Sequence, residues 1–226
     1  MNDAGLDNPF WAALNSRHRG VAVRAGEVAA RYPANLAPFL GVADDSTPTD
    51  AALAELVAAD ETWLALGVRP QLGSGWRVHA FPPLAQMVRE TPLPPLAGAD
   101  IVALDARHRA DVRALTALVY PHYFRERTME LGRYFGIFQQ GRLAAMIGER
   151  LGTDQATELS AICTHPDFVG QGHARRLTTF LCNELLARGR LPFLHVSYEN
   201  ARAKALYERM GFVRRGDLGF WSLSRA

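Results

Sequence analysis

Cysteine is scarce in this chain: Cys163 and Cys182 are the two among 226 residues. Neither stands in a paired spacing or beside clustered histidines. A disulfide framework and a metal site of the usual spacing are therefore not expected, and reduced thiols in a cytoplasmic setting are. Charge of one sign is also lacking. Lys and Arg number 25 against 23 Asp and Glu, a formal net charge of +2. That near balance gives no case for nucleic acid as the main partner. No stretch approaches the roughly 20 apolar residues of a membrane-spanning helix. Met1 to Phe10 carries Asp3 and Asp7 and no apolar run, so it does not read as a signal peptide, and no membrane partner is expected. What the chain does have is apolar content: 48% hydrophobic residues, ample for a core and too many for a disordered chain.

Proline gives the first organising signal. Thr91-Pro92-Leu93-Pro94-Pro95 resists both helix and central strand and reads as a stiff linker. It divides the chain into a 1–95 unit and a 96–226 unit, both of plausible domain size. In the first unit, Asn8-Pro9 is a good helix start with Phe10, Trp11 and Leu14 on one face. One or two strands fit between Val21 and Tyr32, and Asp50 caps a short helix through Leu56 and Val57. Strands are expected at Thr62–Leu66 and Trp76–Ala80 around Gly73-Ser74-Gly75. No reactive constellation stands out in this half. Its default role is packing, or one wall of a cleft.

The second unit is clearer. A strand at Ile101–Leu104 leads to a helix capped by Asp105, with Val112, Leu115 and Leu118 as its apolar stripe. Tyr134–Phe138 and Leu143–Gly148 form a hairpin around Gln140-Gly141. A strand at Glu158–Cys163 precedes a helix from His173 to Arg188 that Gly189 ends. Pro192–Ser197 is a strand, Asn200 caps a helix from Ala201 to Met210, and Phe212–Arg215 with Phe220–Leu223 reads as a closing hairpin. The fold class is α/β, with a mixed, mostly antiparallel sheet carrying helices on its faces.

The densest signal lies between the strand and helix of this unit, at Val169-Gly170-Gln171-Gly172-His173-Ala174. Glycine at 170 and 172 permits unusual backbone angles and close approach of a ligand. The amides that open a helix have no acceptor within it, and the helix dipole adds partial positive charge there. Strand, glycine turn and helix start together make a cradle for a phosphate or diphosphate.

This segment resembles the diphosphate motif of the GCN5-related N-acetyltransferase (GNAT) superfamily. Gly172 and Ala174 match its last two fixed positions, and Val169 departs from the family's Gln or Arg. A second block, Asn200 with Ala205-Leu206-Tyr207-Glu208 and Gly211-Phe212, is similar to the family's closing helix and its exit into a strand. Glu130-Leu131-Gly132-Arg133-Tyr134 and Cys163-Thr164-His165-Pro166-Asp167 are similar to FR47-like members. The resemblance covers about 100–226. In some relatives of that branch the N-terminal half is itself a degenerate GNAT-like domain.

The resemblance implies acyl transfer from acetyl-CoA, or another short acyl-CoA, to an amine, with no metal. It places Tyr207 where the family has its proton donor to the leaving thiolate. Seven residues along a helix return to within about 20° of one face, so Asn200 and Tyr207 line the same side. Glu158 lies 11 residues before Val169, similar to the family's strand glutamate, and is the base candidate, acting directly or through water with a pKa raised by partial burial. Glu149 is its rival. Ile162, Cys163 and Thr164 would bind pantetheine through backbone groups, as an added strand. The cradle Val169, Gly170, Gln171, Gly172, His173 and Ala174, with Arg175, would hold the phosphates; Arg176, His165 and the helix-start histidine are further candidates.

The acceptor stays open: a small amine or amino acid is expected, and a protein acceptor is not excluded. Arg125 or Arg127, within Pro121–Leu131, could hold an acceptor carboxylate. Two other readings remain at this stage. One is a non-catalytic acyl-CoA-binding module. The other is a cysteine-dependent acyl carrier through Cys163 with His195 as partner. Oligomeric state is not legible.

Overall fold

The structure is a computed structural model in which residues 4–119 and 123–226 are described. The elements in chain order are α1 (Pro9–Asn15), β1 (Val23–Ala25), β2 (Ala29–Arg31), β3 (Leu40–Val42), α2 (Asp50–Leu56), β4 (Thr62–Gly67) and β5 (Trp76–Val88). They continue with β6 (Val102–Leu104), α3 (Arg109–Val119), β7 (Tyr134–Gln139), β8 (Arg142–Gly152), β9 (Ala156–Thr164), α4 (His173–Ala187), β10 (Leu191–Ser197), α5 (Ala201–Arg209) and β11 (Val213–Arg225). Local chemistry sets several of these boundaries. Gln140 and Gly141 both take positive φ, 52° and 74°, which suits the twist of the hairpin between β7 and β8. Asp105 caps the turn into α3 by accepting from the Arg107 amide at 2.9 Å. The start of α2 differs from expectation: Thr49 is its cap, while Asp50 accepts from the Gly73 amide at 2.8 Å. Leu118, expected to face inward on α3, is exposed.

β4 and β5, from the N-terminal half, join one eight-stranded sheet of order β4-β11-β5-β10-β9-β8-β7-β6. β9 and β10 are parallel and the other neighbouring pairs antiparallel. β1, β2 and β3 form a separate antiparallel sheet of three. The fold is thus a mixed α/β, mostly antiparallel sheet flanked by helices. The division at 95 does not separate two sheets. The proline segment links strands of a single sheet, because β5 lies between β10 and β11 and pairs with both.

The closing hairpin is also corrected. β11 runs through Gly216 and Asp217, with register shifts at Arg214/Gly216 and Leu218/Phe220, and its antiparallel neighbours are β5 and β4. The gap between Phe212–Arg215 and Phe220–Leu223, expected as a hairpin turn, instead continues the strand, since a bulge serves there when another strand is available to pair with. β5 carries Pro82 and Pro83, which ordinarily exclude a central strand. They fall at the second irregularity, between the Leu84 and Phe81 pairings, in a stretch paired with β11 alone because β10 pairs with β5 only from Leu84 to Val88.

The sheet buries both faces. On one face α4 and α5 pack Leu177, Leu181, Leu185 and Tyr207 against Ile147, Leu159 and Leu194. On the other, the N-terminal half lays Phe10, Leu14, Tyr32 and Phe39 against Leu151 and Phe193, and α3 packs Val112 and Leu115 beside Met146 and Cys163. Because β5 completes the sheet, a 96–226 fragment loses the strand between β10 and β11 as well as the cover over Phe193. It is expected to show no cooperative thermal transition by far-UV circular dichroism, whereas the full chain does.

Candidate functional site

β9 and β10 stay in register for three pairs, Leu191 with Ala156, Pro192 with Thr157 and Phe193 with Glu158, and then part. The ladder on the far side of β9 is itself irregular. Pairing with β8 jumps from Met146–Cys163 to Gly148–Ser160, and Ala161 between them takes φ 49°. A non-glycine residue held there is strained, and the bulge turns the end of β9 away from β10. The parting leaves a cavity of about 330 Å³ that passes between the strands. Leu159, Ile162, Leu194, Val196 and Tyr207 line it from the α4–α5 face, and Phe10, Phe39 and Leu66 from the N-terminal face.

Asn200 and Tyr207 both border this cavity, as their spacing on α5 requires. Asn200 also caps the helix, accepting from the Ala203 amide at 3.1 Å. Tyr207 is buried, with its ring centroid 5.8 Å from that of Phe212. Ile162 and Cys163 line the cavity and Thr164 ends β9 beside them. Beyond β9 the chain makes one turn at Pro166–Phe168 and reaches the cradle. Val169 is exposed. Gly170 and Gly172 take φ 84° and 80°, and Gly172 is the left-handed cap of α4. The amides of Gly170 to Arg175 precede the first internal bond of the helix, so they remain available to an anion. Gln171 and Arg175 are exposed there, and Ala174 is half-buried.

Three further candidates for the phosphates have partners within the chain. Arg176 donates to the backbone carbonyls of Ala99 and Leu96, so it ties down the linker. His173 is buried, sits 3.2 Å from Gln139 Oε1, and has its pKa lowered by desolvation. His165 accepts from the Asp167 amide at 3.2 Å.

Glu158 departs furthest from expectation. It is 1% exposed and every direction around its carboxylate is taken. Oε2 accepts from Arg150 Nε at 2.8 Å and from the Leu151 amide at 3.3 Å, and Oε1 accepts from Arg150 Nη2 at 2.8 Å. His195 Nδ1 stands 2.7 Å from the same Oε1. Burial alone would push this carboxyl up, but Arg150, these hydrogen bonds and His195 outweigh it and hold the pKa at about 2. The expected upward shift is therefore reversed, since the group is buried with its counter-ion. Glu149 is occupied likewise. Burial raises its pKa, and hydrogen bonds from Arg133 and Arg17 bring it below the ordinary carboxylate value. It lies outside the cavity lining.

The His195 tautomer follows from Gln86. That amide donates to the Leu6 carbonyl at 2.8 Å, and its oxygen accepts from Arg215 Nη1 at 3.0 Å, which fixes its orientation. Its second N–H faces His195 Nε2 at 3.1 Å. Nε2 must therefore accept, and Nδ1 carries the proton donated to Glu158. Arg150, Glu158, His195 and Gln86 make one hydrogen-bonded row across β8, β9, β10 and β5 at the point where the strands part. Sequence reading saw His195 only as a partner for Cys163 and missed Arg150 and Gln86, which no local motif marks. Both ring nitrogens of His195 are engaged elsewhere, and burial pushes the Cys163 thiol up to about 12, so this pair is no nucleophile and base.

Nor do the acceptor arginines reach the cavity. Arg127 pairs with Glu130 at 2.6 Å, and Arg125 borders a separate depression with Trp63 and Glu61. Pro121, the start of that expected acceptor segment, lies outside the described residues. Tyr123 does line the cavity.

Comparison with known proteins agrees with this geometry. Residues 134–221 match the FR47-like protein family. A protein from Novosphingobium aromaticivorans, described as an acetyltransferase of the GNAT family, has 31% identity to this chain and a TM-score of 0.87. The match covers 99% of this chain and 100% of that one. A GCN5-related N-acetyltransferase from Kribbella flavida shares the fold at a TM-score of 0.64 and 15% identity, with 95% of each chain covered. A GNAT-family acetyltransferase from Colwellia psychrerythraea superposes at 0.52 with 17% identity, over 72% of this chain and 64% of that one. No curated protein matches the chain.

The sign of the Glu158 shift gives a prediction. A carboxyl whose folded pKa lies below its ordinary value of 4.5 stabilises fully above that value, and the contribution is lost as pH falls towards the folded value of about 2. Chemical denaturation between pH 5 and pH 2 should show this loss, and Glu158→Gln should flatten it. Because the variant leaves Arg150 buried without its anion, it should also cost about 3–5 kcal/mol at pH 7.

Proposed function

Since the chain belongs to the GNAT family of acetyltransferases, we propose that it moves an acyl group, most simply acetyl, from acetyl-CoA to a primary amine by direct transfer in a ternary complex. The observation that carries the reading is continuity. The free strand edges beyond Glu158 and Phe193 and the Tyr207 side chain border one cavity, and the open amides between Gly170 and Arg175 follow one turn beyond the end of β9. The cradle binds the diphosphate, and the exposed backbone of Ile162 to Thr164 pairs with the pantetheine arm. A backbone amide at that edge polarises the thioester carbonyl as charge builds on its oxygen.

In the transfer the amine nitrogen forms a bond to the carbonyl carbon and the carbon–sulfur bond breaks. Tyr207 gives its phenolic proton to the departing sulfur. The amine has to be neutral to attack, and its proton leaves through water. Glu158 does not take that proton directly, because its oxygens are filled by Arg150, Leu151 and His195. Its part is to fix His195 and the walls of the fork. Desolvation against the apolar side of the cavity favours the uncharged amine in the absence of a free carboxylate. A non-catalytic acyl-CoA-binding module would share the cradle but turn over no amine.

Two measurements bear on this. Tyr207→Phe should lower kcat roughly 100-fold while leaving KM for acetyl-CoA nearly unchanged, as loss of a positioned proton donor requires; an unaltered kcat removes the assignment. Gly172→Val puts a β-branched side chain at φ 80° and should weaken CoA binding about tenfold by calorimetry. No heat and no thermal stabilisation of the native protein by saturating CoA would end the acyltransferase reading.

A further inference from the structure

The cavity has two ends of different chemistry. The end bounded by Asn200, Ala203 and Tyr207 meets the α4–α5 face. The opposite end lies under the N-terminal half, where aromatic and leucine side chains face the cavity beside Tyr123; Ser160 and Ser197 also line the cavity. Phe10 and Phe39 stack with centroids 4.5 Å apart, and Leu66, Leu84 and Phe220 complete the surface. Among the described lining residues the charged side chains are Arg150 and Glu158, and these neutralise each other at 2.8 Å. The remaining imidazole, His195, has its nitrogens engaged by Glu158 and Gln86. Among the described lining residues, none offers an unpaired charge to a carboxylate or to a second ammonium group.

Size narrows the occupant further. About 330 Å³ lies at the lower end of the roughly 300–1,000 Å³ typical of small-molecule sites, and the acyl-pantetheine end must share it. Burying an ionic substituent against this wall would strip its water with no partner in return. A flat apolar body, by contrast, finds aromatic faces and leucine side chains. From this lining we infer that the acceptor is a small primary amine carried on an uncharged apolar or aromatic body, and that Leu84 and Phe220 select it. The inference rests on the acyltransferase reading for the reacting nitrogen, and on the cavity lining alone for the body of the molecule.

Initial rates of thiol release from acetyl-CoA, with the full chain, compare phenethylamine with ethanolamine, spermidine and glycine. The value of kcat/KM for phenethylamine should exceed each of the others by about 10- to 100-fold, the range expected for burying one aromatic side chain's worth of apolar area. Leu84→Asn should shrink that ratio about tenfold. A merely destabilised variant would lower all the rates together and leave the ratio intact. Turnover that favours ethanolamine, spermidine or glycine, or that treats all four alike, overturns the acceptor inference while the acyltransferase reading stands. If CoA binds and no amine reacts, the acyltransferase reading fails. Calorimetry of the CoA-loaded protein then decides the acceptor wall: heat with phenethylamine and none with ethanolamine supports it, and no heat with phenethylamine overturns it.

Discussion

Two parallel strands that pair for three residues and then separate need something to hold the fork. Here it is a buried carboxylate. Glu158 is the last residue of β9 in register with β10, and its side chain reaches across to His195 just beyond that point. Arg150, stacked over Phe39, supplies the opposite charge from β8. An unpaired carboxylate at this depth would be far too costly to keep ionised. With Arg150 beside it, the pair fixes the spacing of the strands instead of titrating. Gln86 and Arg215 carry the same row across β5 to the surface, where Arg215 meets Asp7. Cavity width, ring orientation of His195 and the cover supplied by the N-terminal half all depend on this row.

The N-terminal half has a more intimate role than a separate domain would. β5 supplies the strand between β10 and β11, and the residues before it supply the apolar end of the cavity. On the proposed reading, the C-terminal part of the chain, which holds the cradle and Tyr207, binds and activates the acyl donor. The earlier part shapes what can approach from the other face of the sheet. On the same reading, donor and acceptor recognition are divided between the two faces, with the gap between β9 and β10 as their meeting point.

Legibility in the sequence followed the range of the interaction. The cradle was readable because glycine spacing, strand and helix start all lie within a dozen residues. Asn200 and Tyr207 were readable together because one helix fixes their relation. The hairpin at Gln140-Gly141 announces itself by residue type. The closing hairpin expected from Phe212–Arg215 and Phe220–Leu223 misled, because a bulge and a turn ask for similar residues. Only the presence of β5 decides between them. Glu158 was found by spacing, but its charge state was misread. Its pKa depends on Arg150, eight residues earlier on the neighbouring strand, and on His195, 37 residues later.

The sequence alone therefore determined the local devices: the glycine turn at the start of α4, the capped helix that carries Asn200 and Tyr207, the order of strands and helices from residue 100 to α5, and the family these imply. Tertiary structure alone decided which strand lies beside β11, which carboxylate is neutralised, and what lines the far end of the cavity. The physical reason is that backbone conformation and helix-start polarity are set by neighbours in the chain. Sheet partners, burial and ion pairing are set by groups that only folding brings within a few ångströms.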